Sequence, residues 1–156
     1  MTEVEIRECA PSEPACRRLL ERLDAGLSAL YPPEEYDPIT LRELLEPHVT
    51  FVAARHGGEV VGCGALVRRG SEYAEVKRLY VDPAVRGLGI GKQIMRALED
   101  RGAAEGYRIL RAETGTRQPE ALALYRRFGY RRIGPFGGYP DCPTTVFLEK
   151  RLDPER

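Results

Sequence analysis

The residues that invite chemistry lie between Glu75 and Lys92, in the run EVKRLYVDPAVRGLGIGK. A strand-like segment gives way to a short turn. Arg86-Gly87-Leu88-Gly89-Ile90-Gly91-Lys92 follows, and then an amphipathic helical pattern. Glycines let a backbone turn sharply and approach a ligand closely. Open N–H groups, a guanidinium and a helix N-terminus all favour anionic oxygen, so the run predicts a pyrophosphate site. Two other phosphate loops are excluded by spacing. A dinucleotide fingerprint G-x-G-x-x-G begun at Gly87 needs glycine where Lys92 stands, and begun at Gly89 needs it at Ile94. A P-loop ending in Gly91-Lys92 needs glycine at Arg86 and a hydroxyl residue at Gln93. The competing reading is an ordinary glycine-rich strand-to-helix turn.

These residues need a frame. Val4 and Ile6 alternate with Glu3, Glu5 and Arg7, which predicts a strand over 3–8. From about 12 to 30 the period is helical, with Ser12 as N-cap and Pro14 in the first turn. Leu19, Leu23, Leu27 and Leu30 form its apolar stripe. The stretch YPPEEYDPIT stops that helix with three prolines and leaves Tyr31 and Tyr36 in a loop. A short helix at about 40–46 ends at Pro47. Gly57-Gly58 between apolar runs predicts a hairpin, and 72–81 adds a third strand. A helix over 89–104 places Ile90, Ile94, Ala97 and Leu98 on one face, with Gly102 and Gly106 marking its end. Strand 107–113, helix 118–128, strand 129–134 and a last strand TTVFLEKRL complete the pattern. Strands first and then β-α-β-α-β-β predict an α+β fold, one mixed sheet with helices on both sides. No linker or repeat divides the chain, so one domain is expected over 1–156.

Composition narrows the partners. Lys+Arg and Asp+Glu are equal at 24 each, which leaves no global basic field for nucleic acid or an anionic membrane. Arginine pairs such as Arg126-Arg127 and Arg131-Arg132 read as solvated faces. At 156 residues the chain can build a core without a disulfide or metal staple. The four cysteines show no C-x-x-C spacing and there are only two histidines, so no metal site is expected. The N-terminus lacks a basic n-region and an apolar h-region, and no run approaches membrane-spanning length. The expectation is a cytoplasmic protein.

The motif R-x-x-G-x-G after a strand, together with the element order, resembles the GNAT superfamily of N-acetyltransferases over nearly the whole chain. A second landmark, QPEALALYRRFGY at 118–130, is similar to the family's N-x-x-A-x-x-L-Y-x-x-x-G-F/Y pattern through Ala121, Leu124, Tyr125, Gly129 and Tyr130. Gln118 stands where the family usually has asparagine, and keeps an amide at that cofactor-facing position. The stretch from Glu113 to Lys150 also looks like a subgroup of small free-standing bacterial members, whose substrates are poorly defined. The resemblance implies an α/β/α arrangement with a splayed central strand pair, and acetyl-CoA as co-substrate in the opening. It places Leu79, Tyr80 and Val81 on the strand that pairs with the pantetheine arm. Arg86, Gly87, Leu88, Gly89, Ile90, Gly91 and Lys92 are then the pyrophosphate loop. A homodimer is common in that family, though no feature of this sequence demands one.

Acyl transfer from a thioester to an amine poses two proton problems. An alkylammonium of pKa near ~10 must lose a proton, and the departing thiolate gains one. The resemblance makes Tyr125 the acid, its hydroxyl turned to the cofactor sulfur; the alternative is a core aromatic beside Leu122 and Phe128. It makes Glu75 the base, against the alternative of a strand glutamate paired with Lys77 or Arg78 and therefore a poor base. Glu113 is the reserve, Glu72 a weaker one, and a water chain suffices in some members. Backbone N–H groups around Leu79 and Val81 could polarise the thioester oxygen. No cysteine has a histidine-based constellation, which favours direct attack over a covalent route. Tyr31, Arg78, Tyr139 and Asp141 are the expected acceptor contacts, Asp141 for a cationic amine, Arg78 or Arg117 for a carboxylate. A small amine or amino acid-like acceptor is expected. The alternatives are a protein N-acetyltransferase and a non-catalytic acyl-CoA-binding module.

Overall fold

Period-two segments become strands and helical-period segments become helices across residues 3–152, which the computed structural model describes. The one-domain expectation also takes in residues 1, 2 and 153–156, which lie outside the described residues. In chain order the elements are β1 (Val4–Glu8), α1 (Pro14–Leu30), a 3-10 turn (Pro33–Glu35), α2 (Leu41–Leu44), β2 (Val49–His56), β3 (Glu59–Arg69) and β4 (Tyr73–Val81). A second 3-10 turn (Pro83–Val85), α3 (Ile90–Ala104), β5 (Ile109–Gly115), α4 (Pro119–Arg127), β6 (Arg131–Ile133) and β7 (Thr145–Arg151) follow.

The seven strands make one sheet in the order β1-β2-β3-β4-β5-β7-β6. All neighbours are antiparallel except β4 and β5. That parallel pair is short. It runs only from Ala74↔Leu110 to Val76↔Ala112. Beyond it, β4 stays paired to β3 as far as Gly62↔Val81, and β5 stays paired to β7 as far as Gly115↔Thr145. The sheet therefore opens into a V between 77–81 and 113–115, the splay that the resemblance implied.

Helices cover both faces. On one, Leu19, Leu20 and Leu23 of α1 pack with Phe51, Ala53, Cys63, Ala65 and Val67. On the other, Ile90, Ile94, Met95 and Leu98 of α3 and Tyr125 of α4 pack with Val76, Leu110, Ala112, Val146 and Leu148. Burying each such aliphatic side chain contributes about 1.5–3 kcal/mol. α3 lies close to the sheet because β3 carries Gly62 and Gly64 beneath it. A Cβ at either position would stand 2.9 Å from an Ile94 side-chain carbon.

Local physics moves several boundaries. Pro14 occupies the first helical turn, so the cap of α1 falls on Glu13 and not on Ser12, and no side chain closes it. The Glu13 N–H bonds to Ala10 O at 3.1 Å in the preceding turn. The stripe of α1 ends at Leu27, with Leu30 40% exposed. Gly102 lies inside α3, where a Cβ would meet Leu110 at 3.2 Å; Gly106, at φ 90°, is the terminating glycine. Tyr107 N–H folds back to Gly102 O at 3.0 Å, which delays β5 to residue 109.

Candidate active site

The loop between β4 and α3 is built from the turn outward. Asp82 accepts from Ala84 N–H at 3.0 Å, and Arg86 N–H donates to Pro83 O at 3.4 Å. The chain then passes through left-handed glycines, Gly87 at φ 90° and Gly89 at φ 79°, the second capping α3. The next backbone bond is Gln93 N–H to Gly89 O at 3.2 Å. Between these two bonds, the amides of 87–92 donate to nothing among the described residues. Arg86 braces the turn by donating from Nε to Val81 O at 3.2 Å, with Nη1 3.6 Å from Glu120 Oε1. A cavity of about 640 Å³ faces this loop, lined by Leu79, Tyr80, Val81, Arg86, Gly87, Gly89, Ile90, Gly91, Lys92 and Gln118. Leu88 does not join them. It is 55% exposed and does not line the cavity.

A second cavity, of about 310 Å³, adjoins the first through Leu23, Leu27, Leu79, Gln118 and Ala121. Tyr31, Tyr36, Arg78, Glu113, Tyr125 and Tyr139 line it. Two clasps close over it. Thr144 Oγ1 donates to Glu35 Oε1 at 2.6 Å, joining the loop after β6 to the 3-10 turn. Tyr31 donates to Gln118 Oε1 at 3.3 Å and accepts from Arg117 N–H at 3.0 Å. Tyr31 reaches across because residue 115 is glycine; its hydroxyl stands where a Cβ would be. Gln118 thus spends its amide oxygen on Tyr31 while lining both cavities.

Tyr125 lines the inner cavity. It is 4% exposed and edge-on to Tyr130 at 5.1 Å. Burial pushes its phenol well above the ordinary range, with Glu113 and Glu75 adding to the effect, so it holds its proton.

Glu75 is placed differently from a solvent-facing base. It is 1% exposed and lines neither cavity. Oε1 accepts from Arg69 Nε at 3.1 Å; Oε2 accepts from Tyr139 at 2.6 Å and Lys77 at 3.4 Å. Such a buried carboxylate persists because its lone pairs are satisfied. Lys77 is the partner the sequence suggested, but Arg78 is not.

Arg78 has φ 57°, the only positive φ of a non-glycine among the described residues. Its guanidinium turns to α1, donating to Asp24 Oδ1 at 2.5 Å and to Tyr36 at 3.2 Å, and Tyr36 itself donates to Asp24. Arg117 Nη1 is likewise spent, on Leu30 O at 2.7 Å. Both guanidiniums are therefore partly engaged, while Arg78 Nε is buried without a partner among the described residues. Asp141 is exposed and lines neither cavity, whereas Tyr139 faces inward. Tyr36 lies in the loop 31–36 that the sequence offered for the acceptor; the residues that sequence reasoning missed include Leu23 and Leu27. The two leucines were legible only as core. One cluster of metal-ligating type, Cys9, Glu13 and Cys16 within 4.8 Å, stands at the start of α1 and lines neither cavity. Burial pushes the Cys9 thiol up to about 12.

Comparison with known proteins decides the family. Residues 16–130 match the acetyltransferase (GNAT) family. Over 153 residues the chain is 40% identical to an IAA acetyltransferase of Azospirillum brasilense, covering 97% of this chain and 100% of that one. The chain belongs to the GNAT family.

As a GNAT protein it is an acyl-CoA-dependent N-acyltransferase. A Klebsiella pneumoniae protein provisionally named an acyl-CoA N-acyltransferase superposes with TM-score 0.82 at 34% identity, covering 96% of this chain and 98% of that one. A GNAT acetyltransferase of Elizabethkingia anophelis, with acetyl-CoA bound, shares the fold at 19% identity and TM-score 0.67, over 96% and 98%. The loop of this GNAT chain fits a pyrophosphate: the open amides of 87–92, the Arg86 guanidinium and the α3 N-terminus all favour anionic oxygen. Among the described residues, no helix is long and apolar enough to cross a membrane.

Proposed function

We propose that this protein transfers the acetyl group of acetyl-CoA to the primary amine of a small metabolite or amino acid-like acceptor, by direct attack with both substrates bound. The observation that carries this reading is the inner cavity of about 310 Å³, clasped over by Thr144–Glu35 and Tyr31–Gln118 and continuous with the loop cavity. That volume suits a small ligand, whereas a protein segment needs an open groove. Its charge favours a cation. Glu34, Glu35, Asp37 and Glu113 line the cavity, while Lys77 and Arg78 on its wall are already neutralised by Glu75 and Asp24. Tyr125 is the donor to the departing thiolate, and the loop of 86–92 holds the pyrophosphate.

A second reading has its own support. The chain is 40% identical over 110 residues to the N-alpha-acetyltransferase RimI of Mycobacterium tuberculosis, covering 67% of this chain and 63% of that protein. On that reading the acceptor is a protein N-terminus.

Thiol release from acetyl-CoA by the purified protein, screened against pools of free amines and amino acids and against N-terminal peptides, separates the readings. Release that depends on the metabolite pools is the expected result. Release with peptides alone selects the protein acceptor. Acetyl-CoA binding without release in any pool selects a sensing module.

A further inference from the structure

We propose that Cys9, Glu13 and Cys16 form a binding site for a thiophilic divalent cation of the zinc type, which clips the end of β1 to the first turn of α1. The group lines neither cavity, so the site is independent of the acetyl-transfer reading above.

A tight reversal of the chain brings the three residues together. Cys9 extends the β1–β2 ladder, its N–H donating to Phe51 O at 3.1 Å. The chain then turns, and Glu13 N–H closes on Ala10 O at 3.1 Å. Pro14 opens α1, which puts Cys16 in the first helical turn. Two cysteines seven positions apart in sequence are thereby folded into contact. The lack of a C-x-x-C pair led us to expect no metal site; the reversal supplies the approach that such a short spacing would give.

The separation fits a chelate. Cys9 Sγ and Cys16 Sγ lie 3.6 Å apart. Two thiolates each about 2.3 Å from a tetrahedral zinc ion stand about 3.8 Å from one another, whereas a disulfide needs about 2.05 Å. A carboxylate oxygen of Glu13 completes a group whose ligand atoms all lie within 4.8 Å of one another. Zinc takes both sulfur and carboxylate oxygen. Cys16 is fully buried, Cys9 half-buried and Glu13 exposed, which leaves a fourth position on the solvent side.

The ligands are also available. Both thiols are free, and each is the other's only hydrogen-bond partner among the described residues. Glu13 is the N-cap of α1, yet its side chain bonds no amide of the first turn. A helix N-terminus favours a thiolate at Cys16. Arg55 from β2 and Cys63 from β3 face the group. Two thiolates and a carboxylate carry three negative charges, which the dication and Arg55 balance with three positive ones. Without a cation both thiols keep their protons, through burial first and the charge of Glu13 among the further causes. Binding exchanges those protons for the ion: one dication and two thiols give a dithiolate complex and two protons.

The test uses the full chain, reduced with a phosphine, freed of metal with a chelator and titrated with cobalt(II) and then zinc(II). Cobalt should bind once per chain, with sulfur-to-cobalt charge-transfer absorption and the strong visible bands of a four-coordinate ion. Zinc should displace it. Cys9→Ser should diminish that absorption and weaken zinc binding at least about 100-fold, since losing even an outer partner of a ligand costs about 10–100-fold. Glu13→Gln keeps both thiolates and their absorption, and should weaken zinc about tenfold. Cys142→Ser, outside the group, should match wild type. Circular dichroism checks that Cys9→Ser is folded; if it is not, the wild-type absorption and the surface variant Glu13→Gln carry the decision. Absence of sulfur-to-cobalt absorption in wild type overturns the site. So does a zinc affinity unchanged in Cys9→Ser or lost in Cys142→Ser, and an unchanged affinity in Glu13→Gln overturns the place of the carboxylate in it.

Discussion

Tyr139 donates its hydroxyl proton to Glu75 Oε2 at 2.6 Å, across 64 residues of sequence. The same hydroxyl accepts from Lys77 Nζ at 2.5 Å. Arg69, on the other carboxylate oxygen, also bridges to Glu43 at 3.1 Å. One buried carboxylate thereby ties β3, β4, α2 and the loop after β6 together beneath the inner cavity.

Removing that charge should cost stability first. Glu75→Gln leaves Arg69 and Lys77 facing a neutral amide, and should destabilise the fold by about 3 kcal/mol in denaturant unfolding. Tyr139→Phe removes one charge-assisted bond, worth about 1–2 kcal/mol. A loss below about 1 kcal/mol for Glu75→Gln would show that solvent already screens the network.

Tyr125→Phe should separate chemistry from packing. No hydrogen bond reaches the hydroxyl among the described residues, so the ring alone sustains the contact with Tyr130. Stability should change by less than about 1 kcal/mol. Turnover should fall about 10²-fold with KM for acetyl-CoA little altered. Unchanged steady-state kinetics would return Tyr125 to a core aromatic.

The loop glycines can be tested against an internal control. Gly89 (φ 79°) and Gly58 (φ 82°) both sit in the left-handed region with nothing within 4 Å of a built Cβ. Alanine at either should cost about 1–2 kcal/mol of backbone energy. Only Gly89→Ala should also weaken acetyl-CoA, because it tilts the amides of 87–92; calorimetry should read about a tenfold rise in Kd. Equal affinities in both variants would remove the loop from the binding site.

Stability should also respond to acid through Glu105. Arg68 grips its carboxylate at 2.6 and 2.7 Å, and Arg101 adds a bond at 2.7 Å, fastening β3 to the end of α3. The Arg68 bond is the main reason its pKa falls from 4.5 to about 2. The folded pKa lies below the unfolded one, so this stabilisation is complete above about pH 4.5 and is lost as pH falls towards 2. Screened as a surface group, it is worth about 1 kcal/mol. Glu105→Gln should flatten that part of the stability profile, measured by urea unfolding from pH 6 to pH 2.5; an unaltered slope would show that Arg68 and Arg101 do not hold it.

What could be read from the sequence was what the chain encodes locally. The loop of 86–92 and the helix carrying Tyr125 are contiguous motifs, whereas the V was expected only through the family resemblance that those motifs carry. Glu75 shows the limit. Its i+2 neighbour Lys77 was foreseeable from strand alternation, but Arg69 and Tyr139 arrive through tertiary folding. Strict alternation would put Arg78 on the α3 face with Val76; its φ of 57° interrupts β4 and its guanidinium reaches Asp24 of α1, which nothing in its residue type announces. Asp141 is exposed while Tyr139, two residues before it, lines the inner cavity, in a loop whose left-handed Gly137 and Gly138 give no regular alternation to read. Glu75 and Glu113 share a face of the sheet, and only tertiary packing puts Glu113 on the inner cavity and Glu75 among Arg69, Lys77 and Tyr139.

The two cavities share a wall of Leu23, Leu27, Leu79, Gln118 and Ala121 but differ in the rest of their lining, the outer one taking in 85–87 and 89–92 and the inner one the segments at 31–39 and 139–145. On the proposed reaction each product then competes for room with the substrate it came from. A spent thiol delays the next acetyl-CoA, and the acetylated amine delays the next acceptor.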